Sequence, residues 1–329
     1  MQPSKIFITG ATGFIGSHSA DAALKAGHNV RLSIRKAEQQ QRLERTFANH
    51  LSQVEFVVVP DITTAEAFRD ALLGVDYVWH LASPMPGSGS NIRSDFVEPA
   101  VNATLAILDA ALAHKTIKKV IVMSSVLGLM PFAAPADPRL TILDNTGEVL
   151  PVDLSIPLPE GFGGQFLSYH ASKILAHQAY RDWVKQHNPE FDAISLHPVY
   201  VLGPDILQEK AEELAGVNSF IWRSLHSEKP ALPPSFVDVR DVAASFVLAS
   251  EKDVQRGVEY LLAGPEVSWQ DIVDIVKSQY PSIEVKLVPP FDVTHRVVTE
   301  RVESDLGLRW RSIQTSISSI LDQQLAFLA

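Results

Sequence analysis

An apolar run, Lys5-Ile6-Phe7-Ile8-Thr9, passes directly into Gly10-Ala11-Thr12-Gly13-Phe14-Ile15-Gly16. Glycines at every third position between a strand and a helix let the backbone turn tightly. They also let a pyrophosphate approach the amides of the helix N-terminus. The feature predicts a strand over Ile6–Thr9, a helix from about Phe14 to Ala26 ended by Gly27, and a dinucleotide held between them. The spacing is Gly-x-x-Gly-x-x-Gly rather than the Gly-x-Gly-x-x-Gly of many dehydrogenases. The residues expected to touch the dinucleotide here are Thr9, Gly10, Thr12, Gly13, Phe14, Ile15 and Gly16.

Beyond this turn, short β-rich runs alternate with helical patterns. Strands are expected at Asn29–Ile34, Glu55–Val59, Tyr77–Leu81, Val120–Met123 and Ala193–His197, with a short one near Tyr260. Helices are expected at Asp95 to Ala113, Phe166–Gln186 and Val239–Glu251, with three more helical stretches after Tyr260. The strands are continuous Val/Ile/Leu runs, which fits a sheet buried on both faces. The fold class is therefore α/β: a Rossmann-type doubly wound parallel sheet with a smaller mixed C-terminal substrate lobe. The dinucleotide-binding domain is expected over 1–199, with 236–262 returning to it. The lobe is expected over 200–235 and 263–329. Met130–Gly164 is proline-rich and irregular, and such a stretch inside a domain reads as a functional flap.

The formal charge of −10 argues against a nucleic-acid or anionic-membrane surface, so any phosphate-binding positive charge must be local. There are no cysteines, which excludes disulfides, a thiolate nucleophile and a cysteine-ligated metal. No apolar run approaches membrane-spanning length. Met1-Gln2-Pro3-Ser4 leads straight into a strand without a signal-like core, so a cytoplasmic protein is expected.

The end of the second strand should select the cofactor. NAD sites place an acid there, whereas this chain reads Leu32-Ser33-Ile34-Arg35-Lys36. Arg35 and Lys36 suit a 2′-phosphate, and Arg42 on the next helix could reach the same group. NADPH (NADP+) is the expected cofactor. Asp61-Ile62 is placed either to meet the adenine edge or, through Asp61, to cap a helix. Leu81-Ala82-Ser83 would run past the ribose.

Much later, Tyr169-His170-Ala171-Ser172-Lys173 puts a tyrosine and a lysine one helical turn apart. A phenol titrates near pH 10 when unperturbed, and a neighbouring ammonium favours its phenolate and eases proton exchange. Ser124-Ser125 ends the fifth strand at the sheet's carboxyl edge, where ligands bind in this architecture. A serine hydroxyl there can hydrogen-bond a substrate carbonyl oxygen.

At these residues the chain resembles the extended short-chain dehydrogenase/reductase superfamily. Within it, the chain is most similar to the dihydroflavonol-4-reductase-like carbonyl reductases, which include fungal and yeast ketoreductases. Matching stretches run from Thr9–Gly16 through Val30–Arg35, Val78–Pro84, Pro99–Thr104, Val122–Ser125 and Tyr169–Lys173 to His197–Pro204 and Phe236–Val242. The resemblance implies a Ser125/Tyr169/Lys173 triad, with Tyr169 the proton donor and Lys173 lowering its pKa and gripping the ribose. It implies a 2′-phosphate role for Arg35 and places Pro198 and Val199 against the nicotinamide. Asn102 matches a family position that either relays water or braces a helix. The proline-rich flap, the Gly161–Gly164 run and the Val at 199 depart from the family on the substrate side.

The pocket walls are expected to include Met85, Leu127, Phe132, Phe166, Tyr200, Phe220, Ile221 and Trp222. With no basic cluster near the flap, they favour a hydrophobic ketone or aldehyde over a nucleotide sugar. The expected partner is a small-molecule carbonyl or alcohol, in a monomer or homodimer. Two other readings stay open: an NAD-dependent sugar-nucleotide epimerase/dehydratase, and a non-catalytic NADP-sensing regulator.

Overall fold

A computed structural model describes residues 3–83, 91–132, 140–291 and 294–329. Seven parallel strands form the central sheet: β1 (Lys5–Thr9), β2 (Asn29–Ile34), β3 (Val54–Val58), β4 (Tyr77–His80), β5 (Lys119–Met123), β7 (Asp192–Pro198) and β10 (Glu259–Leu262). Their order is β3-β2-β1-β4-β5-β7-β10. The order reverses direction between β1 and β4, so a crevice opens above their carboxyl ends. Two small parallel pairs complete the sheets: β6 (Thr141–Ile142) with β11 (Arg296–Val297), and β8 (Tyr200–Leu202) with β9 (Phe236–Asp238).

The helices are α1 (Phe14–Lys25), α2 (Gln40–Thr46), α3 (Glu98–Leu112), α4 (Phe162–His187), α5 (Gly216–Leu225), α6 (Val239–Glu251), α7 (Trp269–Gln279), α8 (Glu300–Leu306) and α9 (Ile313–Leu328). The apolar runs of the strands split by alternation between two cores. Ile6, Ile8, Trp79, Ile121 and Leu196 pack with Ala20 and Leu24 of α1 and Phe246 of α6. Phe7, Val78, Val120 and Ala193 turn the other way, onto Ile107 of α3 and Trp183 of α4. A third core joins α5, α7 and α9 around Ile221, Trp269 and Ile317. Val302, Leu306 and Leu308 pack into the first core, so part of the C-terminal stretch lies on the main sheet.

Two boundaries differ from the sequence expectation for physical reasons. The helix expected from Asp95 begins as a wide π-type turn over Arg93–Val97 and becomes α-helical at Glu98. Pro99 stands in its first turn, where a missing N–H costs nothing. Helix α4 starts at Phe162, inside the glycine run, rather than at Phe166. A Cβ on Gly164 would stand 2.2 Å from the Pro159 carbonyl oxygen, so glycine there admits the incoming chain. Among the described residues no helix is long and apolar enough to cross a membrane.

Candidate active site

The turn after β1 is shaped by two glycines that the chain itself demands. Gly10 has φ +79°, and a Cβ on it would meet Ala82 N at 2.8 Å. A Cβ on Gly16 would stand 2.0 Å from the Gly10 carbonyl oxygen. Gly13 is different: its Cβ would meet only Gly10 O, at an ordinary 3.4 Å. Nothing in the protein requires glycine there. Gly13 is the N-cap of α1 and supplies no side-chain acceptor, so the first-turn amides remain available to an anion. Gly13 therefore leaves a cradle that a Cβ would fill, beside open helix-end donors. That fits a pyrophosphate.

Thr9 is fully buried and lies off the cleft, so it is not placed to touch a cofactor. Its Oγ1 accepts from Leu81 N and Ala82 N and lies 3.0 Å from His80 Nδ1. It stitches the glycine turn of β1 to the loop after β4.

A cavity of about 1410 Å³ opens along this edge. One end is lined by Gly10, Thr12, Gly13, Phe14, Ile15, Gly16, Arg35, Asp61, Ile62, Leu81, Ala82 and Ser83. The Arg35 side chain is exposed and has no hydrogen-bond or ion-pair partner among the described residues. Asp61 closes a local turn, its Oδ1 accepting from Thr63 N and Thr63 Oγ1 at 2.9 and 2.7 Å. Those bonds, with Arg35 nearby, hold its carboxyl below the usual range. Asp61 therefore caps its own turn rather than a helix.

Lys36 is exposed and lies off the cleft. The expectation that Arg42 reaches the same phosphate gives way to a different role. Its guanidinium is held by the Leu207 carbonyl and by Glu213 at 2.9 Å. Together with Arg45–Glu209 at 3.1 Å, it ties α2 to the loop after β8.

At the other end lie Ser124, Ser125, Leu127, Phe166, Tyr169, Lys173, Pro198, Val199, Tyr200 and Phe220. Tyr169 and Lys173 share a face of α4, and the Lys173 Nζ donates to Ser83 Oγ at 3.3 Å. Ser125 caps the short turn Val126–Leu129, its Oγ accepting from Leu127 N at 3.3 Å. The serine hydroxyl proton is thus left free to donate outward. Burial pushes the Tyr200 phenol up, and nearby Tyr169 adds to that, so Tyr200 stays protonated.

Three expected wall residues are not on the cleft. Phe132 packs against the His170 ring, 5.6 Å between centroids. Ile221 is fully buried in the third core, and Trp222 lies over His226 at 4.8 Å. Met85 lies outside the described residues. Asn102 is exposed on α3 and off the cleft, which leaves the water-relay reading without support.

The cleft also recruits residues the sequence did not single out: Gln39, Pro99, Phe162, His170, Val217, Leu232, Pro233 and His295. Phe162 is 65 % exposed at the lip, 6.4 Å from the Phe166 ring and 5.9 Å from Phe220. Its place in Gly161–Gly164, just before the Tyr/Lys helix, was a usable signal. The others arrive only through tertiary folding.

A model of the NAD dependent epimerase/dehydratase family matches residues 6–263. A ketoreductase of Aspergillus fumigatus is 34% identical over 338 residues, covering 98% of each chain. A protein of Candida albicans named as a putative NADPH-dependent methylglyoxal reductase is 30% identical, covering 96% of this chain and 98% of its own. Among solved structures, yeast methylglyoxal/isovaleraldehyde reductase Gre2, complexed with NADPH, superposes with a TM-score of 0.83 at 23% identity, covering 98% of this chain and 99% of its own.

Proposed function

The chain belongs to the NAD dependent epimerase/dehydratase family, and within it we propose that this protein is an NADPH-dependent carbonyl reductase. The observation that carries the reading is one continuous cleft. It has an unpaired Arg35 guanidinium at one end and Ser125, Tyr169 and Lys173 at the other. A sugar-nucleotide epimerase holding NAD would want an acid where Arg35 stands. A sensor without chemistry would have no need of the Tyr169/Lys173 pair.

When bound, NADPH supplies the hydride that adds to the substrate's carbonyl carbon. The open amides at the start of α1 hold the pyrophosphate and Gly13 lets it approach. Arg35 would hold the 2′-phosphate. Pro198 and Val199, on the same cleft, would wall the nicotinamide. Ser125 donates a hydrogen bond to the substrate oxygen, stabilising its developing negative charge. Tyr169 gives that oxygen its phenolic proton, so a carbonyl becomes an alcohol. The Lys173 ammonium eases the transfer by favouring the phenolate left behind.

The walls Leu127, Phe166, Tyr200 and Phe220 suit a hydrophobic ketone or aldehyde. In this reading residues 1–199 and 236–262 carry the cofactor side, while 200–235 and 263–329 chiefly cover the substrate. The test is loss of NADPH absorbance against a panel of hydrophobic ketones, aldehydes and diketones, with NADH in parallel. Turnover with NADPH and little with NADH is expected. Silence with both cofactors despite tight NADPH binding would overturn the reading.

A further inference from the structure

Behind Ser125 runs a buried polar chain, none of whose members lines the cleft. Glu259, at the start of β10, accepts from Arg181 through two guanidinium nitrogens and from His177 Nε2 at 3.0 Å. The His177 ring meets the His197 ring edge-on, 4.4 Å between centroids. His197, on β7, is 0 % exposed. Its Nδ1 lies 3.0 Å from the Ser125 carbonyl oxygen and its Nε2 lies 2.9 Å from Ser195 Oγ.

These contacts fix the proton positions. A carbonyl oxygen only accepts, so His197 must carry its proton on Nδ1 and donate it to Ser125. Its bare Nε2 then accepts from the Ser195 hydroxyl. A carboxylate also only accepts, so His177 carries its proton on Nε2. Burial pushes the His197 pKa well below its ordinary value and keeps the ring neutral.

The Ser125 carbonyl also accepts from Gly128 N at 2.9 Å. Two donors on one carbonyl hold the Ser125 peptide plane, and with it the direction of the Cα–Cβ bond that carries the hydroxyl. Helix α4 bears His177 two turns beyond Tyr169 and one turn beyond Lys173. The buried chain therefore ties the serine to the helix that holds the other two site residues.

We propose that His197 is a positioning residue for carbonyl reduction: its Nδ1–H holds the Ser125 peptide so that the serine hydroxyl meets the substrate oxygen, and the His177–Glu259 pair braces it. The inference rests on the reading of Ser125 as the hydroxyl donor. It adds a role for a histidine that would otherwise be a satisfied core residue.

The test is a cycle on the full chain: S125A, H197L, H197F, H197N and the double variant S125A/H197L. Turnover, KM for the carbonyl, NADPH affinity and melting temperature are read for each. S125A should lower kcat about 100-fold. The apolar His197 variants should lower kcat about 10- to 100-fold, since small misplacements of a reacting group cost that much. NADPH affinity should stay within about twofold. H197N, which keeps a side-chain N–H near the Nδ1 position, should restore most of the rate. In the S125A background H197L should add little, because residues acting as one unit are not additive.

An equal loss from H197L with and without Ser125, or a loss in H197N as large as in H197L, would overturn the proposal and leave a structural histidine. Full turnover in S125A would instead overturn the reading of Ser125 itself, so the two failures are distinguishable. Should neither apolar variant fold, H197Q carries the test: its amide reaches the Nε2 position rather than the Nδ1 position and so leaves the Ser125 carbonyl without its side-chain donor. Its loss of kcat should vanish in S125A, and an equal loss in both backgrounds, or none, would overturn the proposal.

Discussion

Lys173 holds its ammonium 5.3 Å from the centre of the Tyr169 ring, one turn further along α4. That puts the lysine head group directly beside the phenol. Y169F should lose kcat by about 100-fold or more while keeping NADPH affinity, because it removes a proton donor and little volume. K173M should lose kcat and also weaken NADPH binding. Steady-state rates with NADPH fluorescence titration check both. Retained turnover in Y169F would remove the phenol from the mechanism.

Arg35 is the cationic cleft residue at the end of β2, and no described carboxylate pairs with it. R35A should raise the KM for NADPH about 10- to 100-fold while barely changing that for NADH, since only NADPH carries the 2′-phosphate. R35D should reverse the preference. Equal effects on the two cofactors would show that the guanidinium does not meet the phosphate.

Gly13 and Gly16 should separate cofactor binding from folding. G16A drives a methyl into the Gly10 carbonyl and should lower stability by about 1–3 kcal/mol, read as a lower melting temperature. G13A meets nothing closer than 3.4 Å in the protein, so its fold should hold while NADPH affinity falls. A G13A variant that binds NADPH normally would exclude close pyrophosphate approach at that residue.

These contrasts also show what was legible in the sequence. The glycine turn, Arg35 and the Tyr169/Lys173 spacing are local features, each set within one strand, turn or helix, and the cleft includes all of them. Arg42 departs from its expected role because its partner, Glu213, lies far along the chain on another loop, and no local pattern announces that contact. On α5, Val217 and Phe220 are three apart and both face the cleft. Ile221, about 40° beyond Val217, sinks into the third core, and Trp222, about 140° beyond it, turns outward over His226. Helix α4 begins earlier than its glycine run suggests, because Gly164 is there for the close passage of Pro159 rather than to form a loop.

Stability should fall on mild acidification. Burial lowers the pKa of His80 to about 3, and burial likewise lowers those of His177 and His197. Below about pH 6.5 the unfolded chain takes up protons that the folded chain refuses, so folding weakens as pH drops from there toward 3. Each such histidine contributes up to about 1.4 kcal/mol per pH unit. Burial alone would raise the Glu259 carboxyl, but bonds from Arg181 and His177 hold it well below the usual range. Its contribution is present above about pH 4.5 and is lost only at lower pH. The melting temperature should therefore fall between pH 7 and pH 5, and a flat or rising profile would contradict the buried neutral histidines.

The most direct test follows the hydride. NADPH deuterated at the nicotinamide carbon that releases hydride is incubated with the enzyme and a ketone that it consumes, and the alcohol is examined by mass spectrometry and NMR. One deuterium on the carbinol carbon is expected per NADPH oxidised, with transfer all but lost in Y169F. An alcohol without label, or a substrate rearranged without net oxidation of NADPH, would contradict it.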